Sequence, residues 1–280
     1  MHDNSGRLVI IGGAEDKQGE CLILREVVRL AGGDAARLLV LTAATQQPEQ
    51  VGNEYRAIFQ RLGVREVGVL DISCRLQAED RLLGRLVDDA TGVFFTGGDQ
   101  LRITSLIGGT YLFQRLHQAF QRGVVIAGTS AGASVMSSTM IVQGFGEQEP
   151  RPAAVRLAPG FALVPDAVID QHFAQRGRLG RLLSAIAQNP FVLGFGIDED
   201  TAMVVRGPEV SVIGSGTVVV LDGQHVTFSN TSEISPQDAL ALGNVKLHVL
   251  PTGYRFDLQA RRPREPITGL SESTKEANES

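Results

Sequence analysis

Val124-Val125-Ile126-Ala127-Gly128-Thr129-Ser130-Ala131-Gly132-Ala133 is an apolar run that passes directly into a Gly-x-Ser-x-Gly turn and a stretch of small residues. The run from Gly123 to Ala127 reads as a buried strand, and Ala131 to Met140 as a weakly helical stretch. A strand that turns sharply into a helix lifts the residue at its apex clear of its neighbours. Here that residue is Ser130, flanked by Gly128 and Gly132, which let backbone crowd the turn. The N–H of Ala131 lies at a helix N-terminus, where it can stabilise an oxyanion. The same five-residue pattern also arises by chance in glycine-rich loops. What separates this occurrence is that strand, turn and helix follow in the order the chemistry requires. A free serine hydroxyl is a poor nucleophile, so a base must be supplied from elsewhere in the chain.

Upstream of the turn, strands and helices alternate. Strands are expected at Leu8–Ile11, Arg37–Thr42, Glu66–Leu70 and Gly92–Thr96. Helices are expected at Cys21–Ala31, Pro48–Leu62, Glu79–Ala90, Gln100–Ile107 and Tyr111–Arg122. Short apolar strands separated by helices imply a parallel sheet covered on both faces. Downstream, Ala167–Ile169 is a short strand and Phe173–Gln188 reads as a helix bearing Arg176, Arg178 and Arg181. Phe191–Ile197 is a strand, after which short strands dominate, with a late hairpin at Leu247–Leu250 and Tyr254–Asp257. The expectation is a three-layer α/β domain over residues 1–260, with a mostly parallel central sheet, helices on both faces and a β-rich C-terminal section. Residues 261–280 are polar, contain Pro263 and Pro266, and are expected to be a disordered tail.

The bulk properties remove several function classes. A chain of 280 residues can bury a sizeable core. Its net charge of −5 argues against nonspecific nucleic-acid binding, which needs a basic surface. The absence of tryptophan removes the commonest stacking platform. Two cysteines, Cys21 and Cys74, have no metal-ligand spacing and suit a reducing cytoplasm. No run is apolar enough to span a bilayer, and the first residues do not read as a signal peptide. Gly12-Gly13 lacks the Gly-x-Gly-x-x-Gly spacing of a dinucleotide loop, and no phosphate-binding Lys-Ser pair follows.

Loops at the carboxyl ends of parallel strands are where such sheets place their sites. Among five histidines, His172 stands out: it follows a short strand in Asp170-Gln171-His172-Phe173 and comes after the turn. The orienting acid is expected within Asp198-Glu199-Asp200, with Glu199 favoured and its two neighbours as substitutes. Three adjacent carboxylates repel one another, and a nearby imidazolium would relieve that repulsion. A second oxyanion donor is expected from the Gly97-Gly98 backbone, assigned to Gly98. The resulting chain order of Ser, His, acid differs from the Ser, acid, His order of α/β-hydrolases.

These segments together resemble the cyanophycinases, relatives of the aspartyl dipeptidases whose fold is similar to the flavodoxin-like class I glutamine amidotransferases. The resemblance covers residues 7–258. It rests on Gly12-Gly-Ala-Glu-Asp-Lys17, Thr96-Gly-Gly-Asp-Gln100, the Ser130 turn, Asp170-Gln-His-Phe-Ala-Gln-Arg-Gly-Arg-Leu-Gly-Arg-Leu182 and Gly196-Ile-Asp-Glu-Asp-Thr-Ala202. It implies exolytic hydrolysis of cyanophycin, a polyaspartate whose side-chain carboxyls carry arginine, with release of β-aspartyl-arginine. Ser130 would be nucleophile, His172 base and acid, and Glu199 its orienting carboxylate, with no metal or organic cofactor. A homodimer is also implied. The substrate carries both charge signs, so Arg176, Arg178 and Arg181 are expected at its carboxylates, and Gln100, Asp170 and Gln171 at its guanidinium and amide groups. Two other readings share the scaffold: a dipeptidase on small aspartyl peptides, and a non-catalytic binding module. Glutamine amidotransferases carry cysteine where this chain has Ser130.

Overall fold

In the computed structural model, which describes residues 6–144 and 150–266, the expected strand–helix alternation forms the first half of the chain. Strands β1 (Arg7–Ile11), β2 (Arg37–Leu41), β3 (Glu66–Leu70), β4 (Gly92–Phe95) and β5 (Val125–Thr129) lie parallel in the order β1-β5-β4-β2-β3. They are connected by α1 (Leu22–Leu30), α2 (Pro48–Arg61), α3 (Arg81–Asp89), α4 (Gln100–Ile107) and α5 (Tyr111–Gln121). Local chemistry sets the helix starts. Asp80, Asp99 and Thr110 accept hydrogen bonds from the first free N–H groups of α3, α4 and α5. Pro48 opens α2, where its missing N–H costs nothing.

Strand side chains alternate between two cores. Val9, Ile11, Leu38 and Val40 face α1 and α2, together with Tyr55 and Phe59. Leu8, Ile10, Leu39 and Leu41 face the opposite way, into the larger core that also receives α3–α5. A strand buried on both faces must be apolar at every position, which is why these segments read as continuous runs. Each fully buried large aliphatic or aromatic side chain contributes about 1.5–3 kcal/mol.

After β5 the chain enters the short helix α6 (Ala131–Ser134) and then β6 (Ser137–Gly144). The expected helical stretch to Met140 therefore ends early. Ser137-Ser138-Thr139 and the β-branched Ile141 and Val142 favour extended backbone, and β6 pairs with two neighbours. β6 opens a second sheet with β7 (Val155–Pro159), β8 (Val164–Gln171) and β9 (Leu193–Ile197). Here β6, β8 and β9 run parallel. The helix expected from Phe173 is broken at Gly177 (φ 57°), leaving one turn at Ala174–Arg176 and then α7 (Leu179–Gln188). α7 packs Leu182, Ala185 and Ile186 onto the outer face of this second sheet.

The remaining strands are shared between the two sheets. β10 (Thr201–Arg206) and β11 (Glu209–Gly214) extend the first sheet beyond β1 in antiparallel fashion, while β12 (Thr217–Asp222) joins the second beside β9. The minor pair β13 (Phe228–Ser229) and β14 (Leu242–Gly243) precedes β15 (Lys246–Pro251) and β16 (Arg255–Asp257). The late hairpin does not form: β15 pairs with β12 and β16 with β11, in different sheets. The central sheet is thus five parallel strands extended by four antiparallel ones, with a six-stranded mixed sheet packed against it. Ile169, Phe195, Val218 and Val220 of that second sheet share the large core with Leu8 and Ile126 of the first.

The expected tail begins too early. Arg262–Arg264 forms β17 against β16, and Arg264 pairs with Asp257, whose oxygens also accept from Gln259 and Ala260 N–H. The rest of the expected tail, 267–280, lies outside the described residues.

Candidate active site

Ser130 adopts φ 53° and ψ −110°, a conformation that side-chain-bearing residues seldom occupy. Its neighbours hold it there. Its N–H donates to the Ile11 carbonyl at 3.0 Å, and its own carbonyl accepts from Ala133 and Ser134. A Cβ on Gly128 would stand 2.4 Å from the Gly132 carbonyl oxygen, and one on Gly132 would stand 2.4 Å from that of Phe95. Both glycines of the motif are therefore required by close approach, since α6 lies directly on β5 and β4. Gly97 runs alongside, where a Cβ would be 3.4 Å from Ser130 Cβ. Gly98 takes φ 142° with no room for a side chain beside the Ala44 carbonyl. Ala131 is fully buried at the start of α6, with its N–H at the helix N-terminus.

His172 comes from the second sheet, one residue past the end of β8, and Glu199 from the link between β9 and β10. The Ser130 Oγ lies 3.0 Å from His172 Nε2, and His172 Nδ1 lies 2.6 Å from Glu199 Oε1. A carboxylate only accepts, so Nδ1 carries the proton and Nε2 is left as the acceptor for the serine hydroxyl. Burial pushes the imidazole below its usual pKa. The hydrogen bond to Glu199 pushes the other way, and the charge of Arg176 adds to the downward push. Near neutral pH the ring is thus uncharged and able to take a proton.

Three non-glycine residues of this cluster, Ser130, His172 and Asp200, hold positive φ. Such conformations cost of order 1–3 kcal/mol each and persist where surrounding contacts over-determine them. For His172 the contacts are explicit: its N–H donates to the Gly12 carbonyl at 2.8 Å. A Cβ on Gly13 would sit 2.3 Å from the imidazole Cε1, so Gly13 provides the space the ring occupies. The glycine loop after β1 is a seat for the histidine.

The three adjacent carboxylates have separate partners. Asp198 is buried and accepts from Ala174 N–H, Thr217 N–H and the Thr217 hydroxyl at 2.8–3.0 Å. Asp200 accepts from Asp16 N–H at 2.9 Å. Only Glu199 meets His172, and Gln175 accepts the Glu199 N–H at 3.0 Å. Gln175 was not among the expected residues, and its only sequence signal is its place three residues after His172.

Two of the three arginines in the next segment are tied to a buried carboxylate. Asp170, 1% exposed, pairs with both Arg178 and Arg181 inside the protein. Arg181 also donates to the Gly144 carbonyl at 3.1 Å. Arg178 also donates to the Gln171 carbonyl and, at 3.1 Å, to Gln171 Oε1. Burial lowers its pKa to about 10, which leaves it charged at neutral pH. These three residues, expected at the substrate, satisfy one another in this structure, as a buried carboxylate and buried guanidinium groups need each other. Arg176 alone of the three arginines is exposed. Gln171 is buried with its Oε1 3.4 Å from the Ser130 Oγ, and the Gln100 amide donates to the Ile141 carbonyl at 2.6 Å. Gln171 thus reaches the serine, while Gln100 ties α4 to β6.

Behind Ser130, Glu15 accepts from the Tyr55 hydroxyl and, at 2.5 Å, from the Thr129 hydroxyl. None of these three was expected at the site, although Glu15 and Thr129 lie within segments the sequence had already marked. Among the described residues no group of three or more His, Cys, Asp and Glu side chains is arranged to hold a metal ion. No helix among them is long and apolar enough to cross a membrane.

Comparison with known proteins places this geometry in context. Residues 8–213 match the model of peptidase family S51. The chain is 40% identical over 267 residues to the cyanophycinase of Geminocystis herdmanii (strain PCC 6308), covering 95% of this chain and 97% of that protein. It is 39% identical to the cyanophycinase of Synechococcus elongatus, over 93% of this chain and 83% of the relative. In fold, it aligns with the crystal structure of a peptidase from an acI-B1 Actinobacterium at a TM-score of 0.68 and 22% identity, covering 90% and 97% of the two chains.

Proposed function

As the chain belongs to peptidase family S51, we propose that it is a serine peptidase that hydrolyses cyanophycin, releasing β-aspartyl-arginine dipeptides from the chain end. The observation that carries this is the Ser130–His172–Glu199 relay, with 3.0 Å and 2.6 Å links, in a chain 40% identical to a cyanophycinase over 95% of its length.

The chemistry follows from the atoms in place. Ser130 Oγ attacks the backbone carbonyl of the scissile bond as His172 Nε2 takes its proton. Glu199 holds the Nδ1 proton and stabilises the imidazolium that forms. The developing oxyanion is met by the Ala131 N–H and by an N–H of the Gly97-Gly98 backbone, our choice being Gly98. Collapse expels the leaving amine, which receives the proton from Nε2 and leaves an ester on Ser130. Water, deprotonated by the same nitrogen, cleaves the ester and restores the serine. Arg176, exposed beside the relay, is the arginine we assign to a substrate carboxylate, and Gln171 supplies a polar contact at the serine. A homodimer and a cytoplasmic location complete the reading.

The test is incubation of the purified protein with insoluble cyanophycin and mass analysis of the soluble products. We expect β-aspartyl-arginine from the wild type. Ser130→Ala should lose on the order of 10⁶-fold in turnover, with an unchanged circular dichroism spectrum. A folded wild type that releases no dipeptide overturns the proposal. If it instead cleaves only small aspartyl peptides, the dipeptidase reading replaces it.

A further inference from the structure

Asp200 follows Glu199 in the link between β9 and β10, and its carboxylate takes no part in the relay. Its contacts nevertheless run in three directions. Its N–H donates to the Gly13 carbonyl at 2.9 Å, in the loop that seats His172. Its carbonyl accepts from the Ser215 N–H at 2.8 Å, in the turn between β11 and β12. Its side chain reaches back to the first loop, where Oδ1 accepts from the Asp16 N–H at 2.9 Å. Asp198 and Glu199 direct their carboxylates elsewhere, to Ala174, Thr217 and His172.

The far end of this bond is itself stiff. The Asp16 carboxylate accepts from the N–H groups of Gln18, Gly19 and Cys21 at 2.8–2.9 Å, which ties the loop after β1 to itself. The same loop holds the base, because the Gly12 carbonyl accepts the His172 N–H at 2.8 Å. Both ends of the 2.6 Å link between His172 and Glu199 are thus referred to one short loop, the histidine through Gly12 and the acid through Asp200.

Position 200 makes two demands on its residue. Its φ is 47°, in the left-handed region that glycine enters freely and Asn and Asp more readily than other residues. The side chain must also place an acceptor within reach of the Asp16 N–H. Asparagine meets both demands, glycine only the first and alanine neither. Charge is not a third demand, since the ionised groups that act on His172 are Arg176, Glu199 and Arg178.

Resting on the serine-peptidase reading above, we propose that Asp200 is a positioning residue of the relay. Its side-chain bond to Asp16 fixes the Glu199 carboxylate against His172 Nδ1, and so holds the imidazole in the tautomer and pose that accept the Ser130 proton. Without that bond the Asp16 N–H loses its partner, and this end of the Glu199 link is held by backbone contacts alone.

The experiment compares Asp200→Gly with Asp200→Asn. Both replacements tolerate the backbone angle, so they differ in the acceptor. Asp200 is only half-buried, so both variants should fold, with circular dichroism as the check. One readout is the rate at which a fluorophosphonate labels Ser130. The other is the NMR resonance of the His172 Nδ1 proton, which lies far downfield while the short bond to Glu199 is made. Asp200→Asn should label nearly as fast as the wild type and keep the resonance. Asp200→Gly should label on the order of 10²-fold more slowly, the cost of misplacing a base by about an ångström, and should lose the downfield resonance. A merely structural role would lower stability and leave both readouts of the folded protein in place. A glycine variant that labels at the wild-type rate, or that keeps the resonance, overturns the proposal, as does an asparagine variant as slow as the glycine one. If the wild type itself does not label, the serine-peptidase reading fails, and the resonance alone then decides whether Asp200 fixes the histidine–carboxylate link.

Discussion

Around Ser130 the polar groups are positioned by backbone, whereas around Asp170 they are positioned by one another. Ser130, His172 and Asp200 hold unusual φ angles, and Gly13, Gly128 and Gly132 clear space that any Cβ would fill. Asp170 on β8, Arg181 on α7 and Arg178 just before α7 instead form a buried knot of opposite charges. The two regions meet at Gln171, which accepts from Arg178 and lies 3.4 Å from the Ser130 hydroxyl. A reactive group needs an exact pose and an unspent lone pair, so its neighbours support it without neutralising it. A supporting group has the opposite need, to have every donor and acceptor occupied. Charge density near a site therefore identifies scaffold as readily as chemistry.

The largest expected effect separates the two regions by stability. Asp170→Ala strands two buried guanidinium groups and should cost about 3–5 kcal/mol in urea unfolding. Ser130→Ala, at a small side chain, should cost far less. Equal losses would erase the distinction.

Second comes Gly13→Ala. A methyl group there meets the His172 ring at 2.3 Å, and φ 103° adds backbone strain. Displacing a base by about an ångström costs on the order of 10²-fold in rate, so kcat should fall by about that factor while much of the fold's stability remains. Unchanged kcat would show that the ring does not depend on this seat.

The smallest effect concerns pH. Burial and the Arg176 charge both lower the His172 pKa, which puts the acid limb of kcat/KM below the ordinary histidine value of about 6.5. Arg176→Gln removes one of these downward pushes, so the limb should move to higher pH, by less than one unit. Arg178 also pushes His172 down, from within the buried knot. A limb that stays still or moves down after Arg176→Gln would remove Arg176 from the electrostatics of the relay.

The parallel half of the fold was legible because strands such as Leu8–Ile11 and Val125–Ala127 are buried on both faces and so are apolar throughout. The second sheet was harder to read. Ser137-Ser138-Thr139 looks like loop or weak helix in isolation, and only its pairing with β7 and β8 makes it a strand. Leu247–Leu250 and Tyr254–Asp257 look like a hairpin because they are adjacent in the chain, but their partners, β12 and β11, lie in separate sheets. At the site, Ser130 and His172 were visible from motif and order. Glu199 was separable from Asp198 and Asp200 only by partners as distant as Thr217 and Asp16. The pairing of Arg178 and Arg181 with Asp170 was not legible, because sequence gives charge but not burial. Glu15 and Tyr55 were missed because their proximity to Ser130 depends on how α2 packs on the sheet.

The relay draws on both sheets, which matters while the chain is being made. Ser130 leaves the ribosome first, His172 follows 42 residues later and Glu199 a further 27 after that. The link that carries Glu199 leads into β10, which pairs with β1, a strand made at the very start. Until that link is made, a nascent chain holds Ser130 and His172 without the carboxylate that meets the imidazole. On the proposed mechanism, the complete relay exists only once residue 199 has been made and strands of both sheets are in place.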